Sequence, residues 1–385
     1  MLRPALPRPL TFFASLLLLA PAAHAGGTIT NLGTLGGSTS NAFGVSADGS
    51  VVVGRTRVAN GRFIAFRWTA AGGMVGLGSP FGNPGPLQTT AAAVSADGSV
   101  VVGQIWYDSL GYQPFRWTQA AGMQGLNIQG GGPRTIAMSA NADGSVVVGE
   151  DDFDGPSRAF RWTAAGGLIY LTPPDGVASA RAVSADGAVV VGFRFIDGQP
   201  HHAYRWTAAA GPVDLGTLGG TSSIARAVTS DGTVVVGDGP TAAGQNHFFR
   251  WTAAEGMTDL GALPGPATSE AYAVSADGAT IAGAAQGIPL DRALLWTPSL
   301  GVVDLNTYLP TIGVNLANWH LLAAHEVSAD GSVIVGVGTF DGEFRAFRVE
   351  FSPCGSLDFD GDGDDGTDAD VDAFFRVVGG GSCAP

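Results

Sequence analysis

The sequence contains no lysine. All 19 basic residues are arginine, which excludes Schiff-base chemistry and any side-chain amine nucleophile. Cysteine is nearly absent: Cys354 and Cys383 are the only two, both near the C-terminal end. Positive charge is scarce as well. A formal net charge of −14 argues against a nucleic-acid partner, which needs a basic face. The HExxH, GxSxG and P-loop patterns are all missing, and no isolated reactive cysteine stands in for them. Beyond the first 25 residues no apolar run approaches the ~20 residues that cross a bilayer.

Glycine, by contrast, is abundant at 59 residues. Much of it belongs to one recurring stretch, Val45–Gly54 (VSADGSVVVG), which returns with small changes at Val94, Ser139, Val183, Val228, Val274 and Val327. The Asp-Gly pairs begin at Asp48, Asp97, Asp143, Asp186, Asp231, Asp277 and Asp330, spaced 49, 46, 43, 45, 46 and 53 residues apart. A period of this length marks a repeat architecture. Within each unit, β-branched residues make a strand, Ala-Asp-Gly reverses the chain, and VVVG makes the returning strand. Asp tolerates the turn geometry and Gly accepts the positive φ that other residues resist.

Two further strands complete the unit. AFRW at Ala65 and Ala159, AYRW at Ala203, FFRW at Phe248, ALLW at Ala293 and AFRV at Ala346 form a third strand. A small-residue turn such as TAAGG at Thr69 leads into a fourth. Four antiparallel strands in about 46 residues make a propeller blade. The ends supply the missing piece. Thr28–Gly37 (TITNLGTLGG) matches Pro212–Gly220 (PVDLGTLGG), a fourth strand, yet nothing precedes it in its own unit. The seventh unit stops after its third strand. The expectation is an all-β, seven-bladed β-propeller of four-stranded antiparallel blades, closed by the N-terminal strand, because closure removes long exposed edges. An open stack of hairpins is the competing arrangement.

The period of two along the third strand puts Phe66 and Trp68 on one face and Ala65 and Arg67 on the other. Trp68, Trp117, Trp162, Trp206, Trp251 and Trp296 are therefore expected in the packing between blades, where loss of such a ring costs roughly 3–5 kcal/mol. Arg67 and its equivalents are expected to pair with a turn aspartate such as Asp48. Leu295 breaks that series in the sixth blade.

Loop lengths distinguish the two ends of the propeller. The first and third connections of each blade are constant in length, whereas the others vary: from Leu171 to Asp186 is 15 residues and from Leu305 to Asp330 is 25. Variation on a rigid scaffold is where binding loops are carried. The longest connection, Asn306–Glu326, holds Tyr308, Trp319, His320 and His325, a candidate ligand face or a plug of the blade junction. His202 and His247 each lie four residues before a tryptophan in adjacent blades. With His201 they either approach one another as a transition-metal site or mark a polar start to the third strand. Asp151-Asp152-Phe153-Asp154-Gly155 is an acidic tip with calcium-ligand chemistry, or an ordinary hairpin end.

The AVSADGSVVVG…HAYRWT…VDLGTLGG pattern resembles the extracellular HAF-family repeat proteins of bacteria, named for a His-Ala-Phe element that here reads His202-Ala203-Tyr204. The resemblance covers roughly residues 28–350. It implies an exported protein without assigning an activity.

The two ends differ in composition from the repeats. Residues 1–25 read as a signal peptide: Arg3 and Arg8, the apolar Leu10–Ala20, then Ala23-His24-Ala25 as cleavage site. Export would leave a mature chain without a membrane span. In an oxidising compartment Cys354 and Cys383 are expected to pair, or to remain two thiols. Between them Asp358, Asp360 and Asp362, followed by Gly363, place alternate carboxylates as a calcium loop requires, with Asp364 adding a carbonyl. Asp370 lies one position beyond the usual terminal acid, and Ala369 stands in its place. Val371, Phe374, Phe375 and Val378 follow at helical spacing behind a capping-box-like start. The segment resembles a single dockerin-like half.

The division expected is therefore a signal peptide (1–25), a propeller (26–353) and a dockerin-like calcium-loop tail (354–385). The function expected is an exported, monomeric binding propeller for an extracellular glycan or protein, with Ca2+ in a tail that sorts or docks it. A hydrolase or lyase acting on extracellular polysaccharide is the competing class. Clustered carboxylates in the central funnel would favour the enzyme, and a funnel of Ala, Val and Gly the binding module.

Overall fold

A computed structural model describes residues 24–79, 88–108, 111–126, 134–152, 156–173, 176–195, 200–265, 268–287 and 291–353. These form seven four-stranded antiparallel sheets, each a simple meander, with one short helix, Leu305–Thr311. The innermost strands, here called A, are Gly36–Val45, Gln88–Val94, Thr135–Ala140, Ala178–Val183, Ile224–Val228, Thr268–Val274 and Trp319–Val327; B, C and D follow outward in each sheet, as Val51–Val58, Phe63–Thr69 and Gly73–Gly76 do in the first. Neighbouring A strands touch all the way round the ring. The predicted propeller and its blade count are what the structure shows.

Closure is also as expected. The N-terminal strand His24–Asn31 pairs antiparallel with Glu343–Pro353, so the seventh blade takes its outer strand from the beginning of the chain. Leu32 of that strand's end packs with Val52, Phe66, Trp68, Val333 and Val335, which joins the first and last blades in one apolar cluster.

The A–B turn is self-contained. In the first blade Asp48 Oδ1 accepts from Ser46 Oγ (2.6 Å), Ser50 N (3.0 Å) and Ser50 Oγ (2.8 Å). The same bonds hold Asp97 at about 2, well below an ordinary carboxyl, with Ser95 Oγ contributing most. Gly49 has φ +72°, and a Cβ there would stand 2.5 Å from Val333 of the preceding blade. The turn glycine is thus needed twice, for its dihedral and for the approach of the blades.

The expected pairing of strand-C arginines with turn aspartates is corrected. Among the described residues no such ion pair forms, because the aspartates are already satisfied within their own turns. The arginines instead donate to the carbonyl of the next blade's turn glycine: Arg67 Nε to Gly98 O (3.3 Å), Arg116 to Gly144 O (3.1 Å), Arg161 to Gly187 O (3.2 Å), and across the seam Arg348 to Gly49 O (3.0 Å). Arg205 does the same to Gly232. A second ring lies beside the first. Ala47 N donates to Ala96 O, Ala96 to Ala142, Ala142 to Ala185, Ala185 to Ser230, Ala276 to Ala329 and Ala329 back to Ala47, at 2.8–3.1 Å.

The junction between the fifth and sixth blades is the exception. Arg250 turns to Glu255 (3.2 Å). Gly278 also stands further from its neighbour, 3.5 Å for a Cβ against Val234.

The aromatic position of strand C is fully buried in Phe66, Phe115, Phe160, Tyr204, Phe249 and Phe347, with Leu294 in the sixth blade. The tryptophans pack beside it. Trp68 and Trp296 are buried, whereas Trp117, Trp162, Trp206 and Trp251 keep an exposed edge. The interblade placement expected from the alternation holds: Phe115 and Trp117 pack against Val51, Val53 and Ala65 of the preceding blade.

Candidate functional site

Every A strand carries an irregularity at the same place, and the first and seventh carry a second one nearer their start. The register with strand B shifts between Ala42 and Gly44, Ala91 and Ala93, Ala137 and Ser139, Ala180 and Ala182, Ala225 and Ala227, Ala271 and Ala273, and Ala324 and Glu326. The skipped residue is a β-bulge, which re-aims one side chain. The bulged residues are Phe43, Ala92, Met138, Arg181, Arg226, Tyr272 and His325, and all seven line one open cavity of about 390 Å³ on the axis.

The VVVG glycine is what permits the bulge. A Cβ on Gly54 would stand 2.0 Å from Asn41 O, and one on Gly103, Gly149, Gly192, Gly237, Gly283 or Gly336 would stand 1.9–2.2 Å from the equivalent carbonyl. The bulge drives that carbonyl into the space above strand B. Only a residue without a side chain tolerates it.

Strand B adds Arg55 and Gln104 to the wall, and strand A adds Thr90 and Ile136. These lie beyond the bulges on the side away from the A–B turns, so the cavity opens at the end where connections vary. Strand C runs toward the turns. Glu343–Pro353 therefore ends, and the antiparallel strand His24–Asn31 begins, at the opposite end from the mouth.

The electrostatics of the cavity are uneven. Arg226 is neutralised by Asp238 (2.7 Å) and, across the blade junction, by Glu270 (3.0 Å). Asn246 Nδ2 also bridges that junction to Ser269 O. Burial pushes the Asp238 carboxyl up, against the pull of Arg226. Tyr272 donates to Glu270 (2.9 Å), and its hydroxyl is pushed up by burial and then by that carboxylate. Glu150 is held by Arg134 (3.0 Å). Arg55 and Arg181 have no carboxylate among the described residues, and the Nε of each is buried without a hydrogen-bond partner. Burial lowers both guanidinium pKa values. Arg181 stacks over Phe193 (5.3 Å), and Arg55 over Phe63 (4.7 Å) and Phe43 (5.6 Å).

His325 is the predicted candidate that reaches this cavity. It lies in strand A of the seventh blade rather than in a connection, because the inner strands extend past their bulges. Its Nδ1–H donates to Ala42 O (2.8 Å), which leaves Nε2 as the acceptor nitrogen, and burial lowers its pKa. Its ring lies near Phe43 (5.2 Å) and Tyr272 (5.8 Å).

The other candidates are dispersed. Trp319 packs on Phe340 and Phe347, and His320 Nε2 meets Asp291 O (3.2 Å). The connection that precedes them folds as the helix, with Leu305, Leu309, Ile312 and Val314 in the core. His202 and His247 each bind a carboxylate in their own blade, Asp214 and Asp259, at 2.9 Å. His201 instead packs against Phe193 and Phe195. Asp151 accepts from Thr135 and Tyr170, and Asp152 pairs with Arg134. Among the described residues no group of three or more His, Cys, Asp or Glu is arranged to hold a metal ion. Cys354, Cys383, Asp358, Asp360, Asp362, Asp364 and Asp370 lie outside the described residues, as do residues 153–155.

Sequence reasoning missed Arg55, Arg181, Arg226, Tyr272, Phe43 and Met138. A signal was present: the residue five before each turn aspartate follows an invariant alanine yet changes chemical class from repeat to repeat. The funnel also matches neither expected composition. Its lining contains no carboxylate, yet it is not merely Ala, Val and Gly.

No family model and no curated protein matches the chain. Solved structures do match, at the level of the fold. An oligogalacturonate lyase in complex with manganese is similar at TM-score 0.56 and 12% identity, covering 84% of this chain and 93% of that one. The β-propeller domain of the trilobed protease from Pyrococcus furiosus gives 0.53 and 11%, covering 86% and 99%. TolB from Acinetobacter baumannii gives 0.46 and 11%, and this chain spans 66% of its length. Identities this low show a shared β-propeller. No helix among the described residues is long and apolar enough to cross a membrane.

Proposed function

We propose that this protein is an exported binding propeller that takes its ligand in the axial cavity. One observation carries the reading. Seven nearly identical repeats share one equivalent bulged position, and it is filled by Phe, Ala, Met, Arg, Arg, Tyr and His. Uniform scaffolding around a varied concave surface is the arrangement of a recognition site. The wall offers no pair of carboxylates for glycoside hydrolysis, and the likeness to a lyase is one of fold, which does not transmit chemistry. Export is inferred from residues 1–25, and calcium binding in a sorting or docking tail from the Asp358, Asp360, Asp362 and Asp364 pattern with Asp370.

The test of the cavity is a plug. Ala92→Trp fills the smallest of the seven positions from one side. A glycan and metabolite array probed with the full chain and with this variant should lose its signal in the variant while the circular dichroism spectrum stays the same. A ligand retained by the plugged protein would place binding elsewhere. For the tail, calcium titration of the full chain should show one saturable site that Asp360→Ala abolishes. For export, deletion of residues 1–25 should keep the protein in the cytoplasm.

A further inference from the structure

We infer that the axial cavity takes a small organic carboxylate, gripped by Arg181 and Arg55 and flanked by the rings of Phe43 and Tyr272. This deepens the binding reading above and rests on it.

The argument begins with charge. The chain is acidic, at −14, yet the cavity wall carries three arginines and one histidine and no acid. Arg226 is spoken for by Asp238 and Glu270. The acid nearest to Arg181 in the charge balance, Glu150, is engaged by Arg134. Arg181 and Arg55 therefore remain as half-buried cations, each with a buried Nε that has no hydrogen-bond partner among the described residues. A buried donor left unpaired on a cation is unfavourable unless something compensates it, and a bound anion is the direct compensation.

Geometry narrows the anion. A guanidinium stacked on an aromatic plane keeps its edge N–H groups pointing outward. Arg181 on Phe193 and Arg55 on Phe63 are held in this way. Such an edge matches two oxygens in one plane, as a carboxylate presents them. The rest of the wall sets the body of the ligand. Phe43, Tyr272, Met138 and Ile136 offer apolar and aromatic contact that a bare inorganic ion cannot use. The cavity volume is that of a small-molecule site. The acid could be cyclic, as in a sugar acid, or acyclic, and both present the same group to the arginines.

The experiment is calorimetric titration of the full chain with matched pairs: glucuronate against glucose, and succinate against 1,4-butanediol, with glucose 6-phosphate as a further arm. One acid should bind saturably at one site, with its neutral parent weaker by about 30-fold or more. The pair that responds tells a sugar acid from an acyclic one. Arg181→Gln should weaken that acid by about 10-fold or more. It should leave the melting temperature unchanged or raised, since it removes a cation with an unpaired buried donor.

Equal binding of acid and neutral parent, unaffected by Arg181→Gln but lost in Ala92→Trp, would overturn the carboxylate while keeping the cavity. Preference for glucose 6-phosphate over glucuronate would move the ligand class to organic phosphates and overturn it too. No saturable binding of either acid up to about 10 mM would also overturn it. Binding of an acid that Ala92→Trp does not reduce would overturn both readings.

Discussion

The turn end of this propeller and its axial cavity lie half a strand apart and obey opposite rules. At the turns nearly every repeat is a copy: Ala-Asp-Gly, a serine or threonine bonding the aspartate, and an alanine or serine whose backbone joins the next blade. Five residues earlier every repeat places its own side chain on the axis. The difference follows from what each end must do. The turns contact one another with interlocking geometry, from which only the junction of blades five and six departs among the described residues. The bulged residues face the cavity, and those that have partners find different ones, Arg226 on Asp238 and Glu270, Arg181 on Phe193 and His325 on Ala42 O, so no shared contact selects one side chain for all seven.

The bulge itself belongs to the uniform part. Only its side chain is free, and the strand-B glycine holds that division in place. Gly103→Ala sets a methyl about where Thr90 O stands, so we expect a loss of about 3–5 kcal/mol. Chemical denaturation of the variant measures it, and a loss below about 1 kcal/mol would mean that the bulge relaxes without help from the glycine.

Glu326 is the one acid at a position that is Gly, Ala or Ser in the other six blades. Burial pushes its carboxyl up to about 7, while Val327 N, donating to it, partly opposes the shift. A carboxyl raised in the folded state binds its proton more tightly there than in the unfolded chain. Its contribution is therefore full below about 4.5 and is lost as pH rises through about 7. Glu326→Gln should be more stable than the parent at pH 8 by about 1–3 kcal/mol, and the two should converge near pH 4. Melting curves across that range check the sign.

Tyr204 breaks the Phe series, and its hydroxyl is fully buried with no partner among the described residues. Tyr204→Phe should raise stability by about 1 kcal/mol, seen as a higher urea midpoint with an unchanged slope. The smallest effect compares two junctions. Arg116→Ala removes a bond to the next blade and should cost about 1 kcal/mol, whereas Arg250→Ala loses an exposed pair with Glu255 and should cost under about 0.5 kcal/mol. Equal costs would deny that the junction between blades five and six differs from the rest.

The legibility of the chain divides along the same line. Strand identity, turn position, blade count and closure depend on local chemistry repeated seven times: β-branched alternation, Asp-Gly reversal, and a leading strand whose partners stand at the far end. Those could be read from residues alone. The strand-C arginines were recognised as a series but given the wrong partner, because an aspartate and an arginine at one end of a blade look complementary. The competing serine bonds in the turn decide otherwise. His325 was picked out for lying in a long connection and belongs instead to the axis.

What residues alone determined, then, is the architecture, since each element is set by neighbours within a few positions. What only the tertiary structure decided is the site. Arg55, Phe43, Arg181, Tyr272 and His325 are scattered along the chain, and the contact of His325 with Ala42 spans 283 residues. No local pattern relates them. They share a surface because closing the ring brings seven bulges to one axis, and a charge is left unpaired there only after every neighbouring acid has found its own partner.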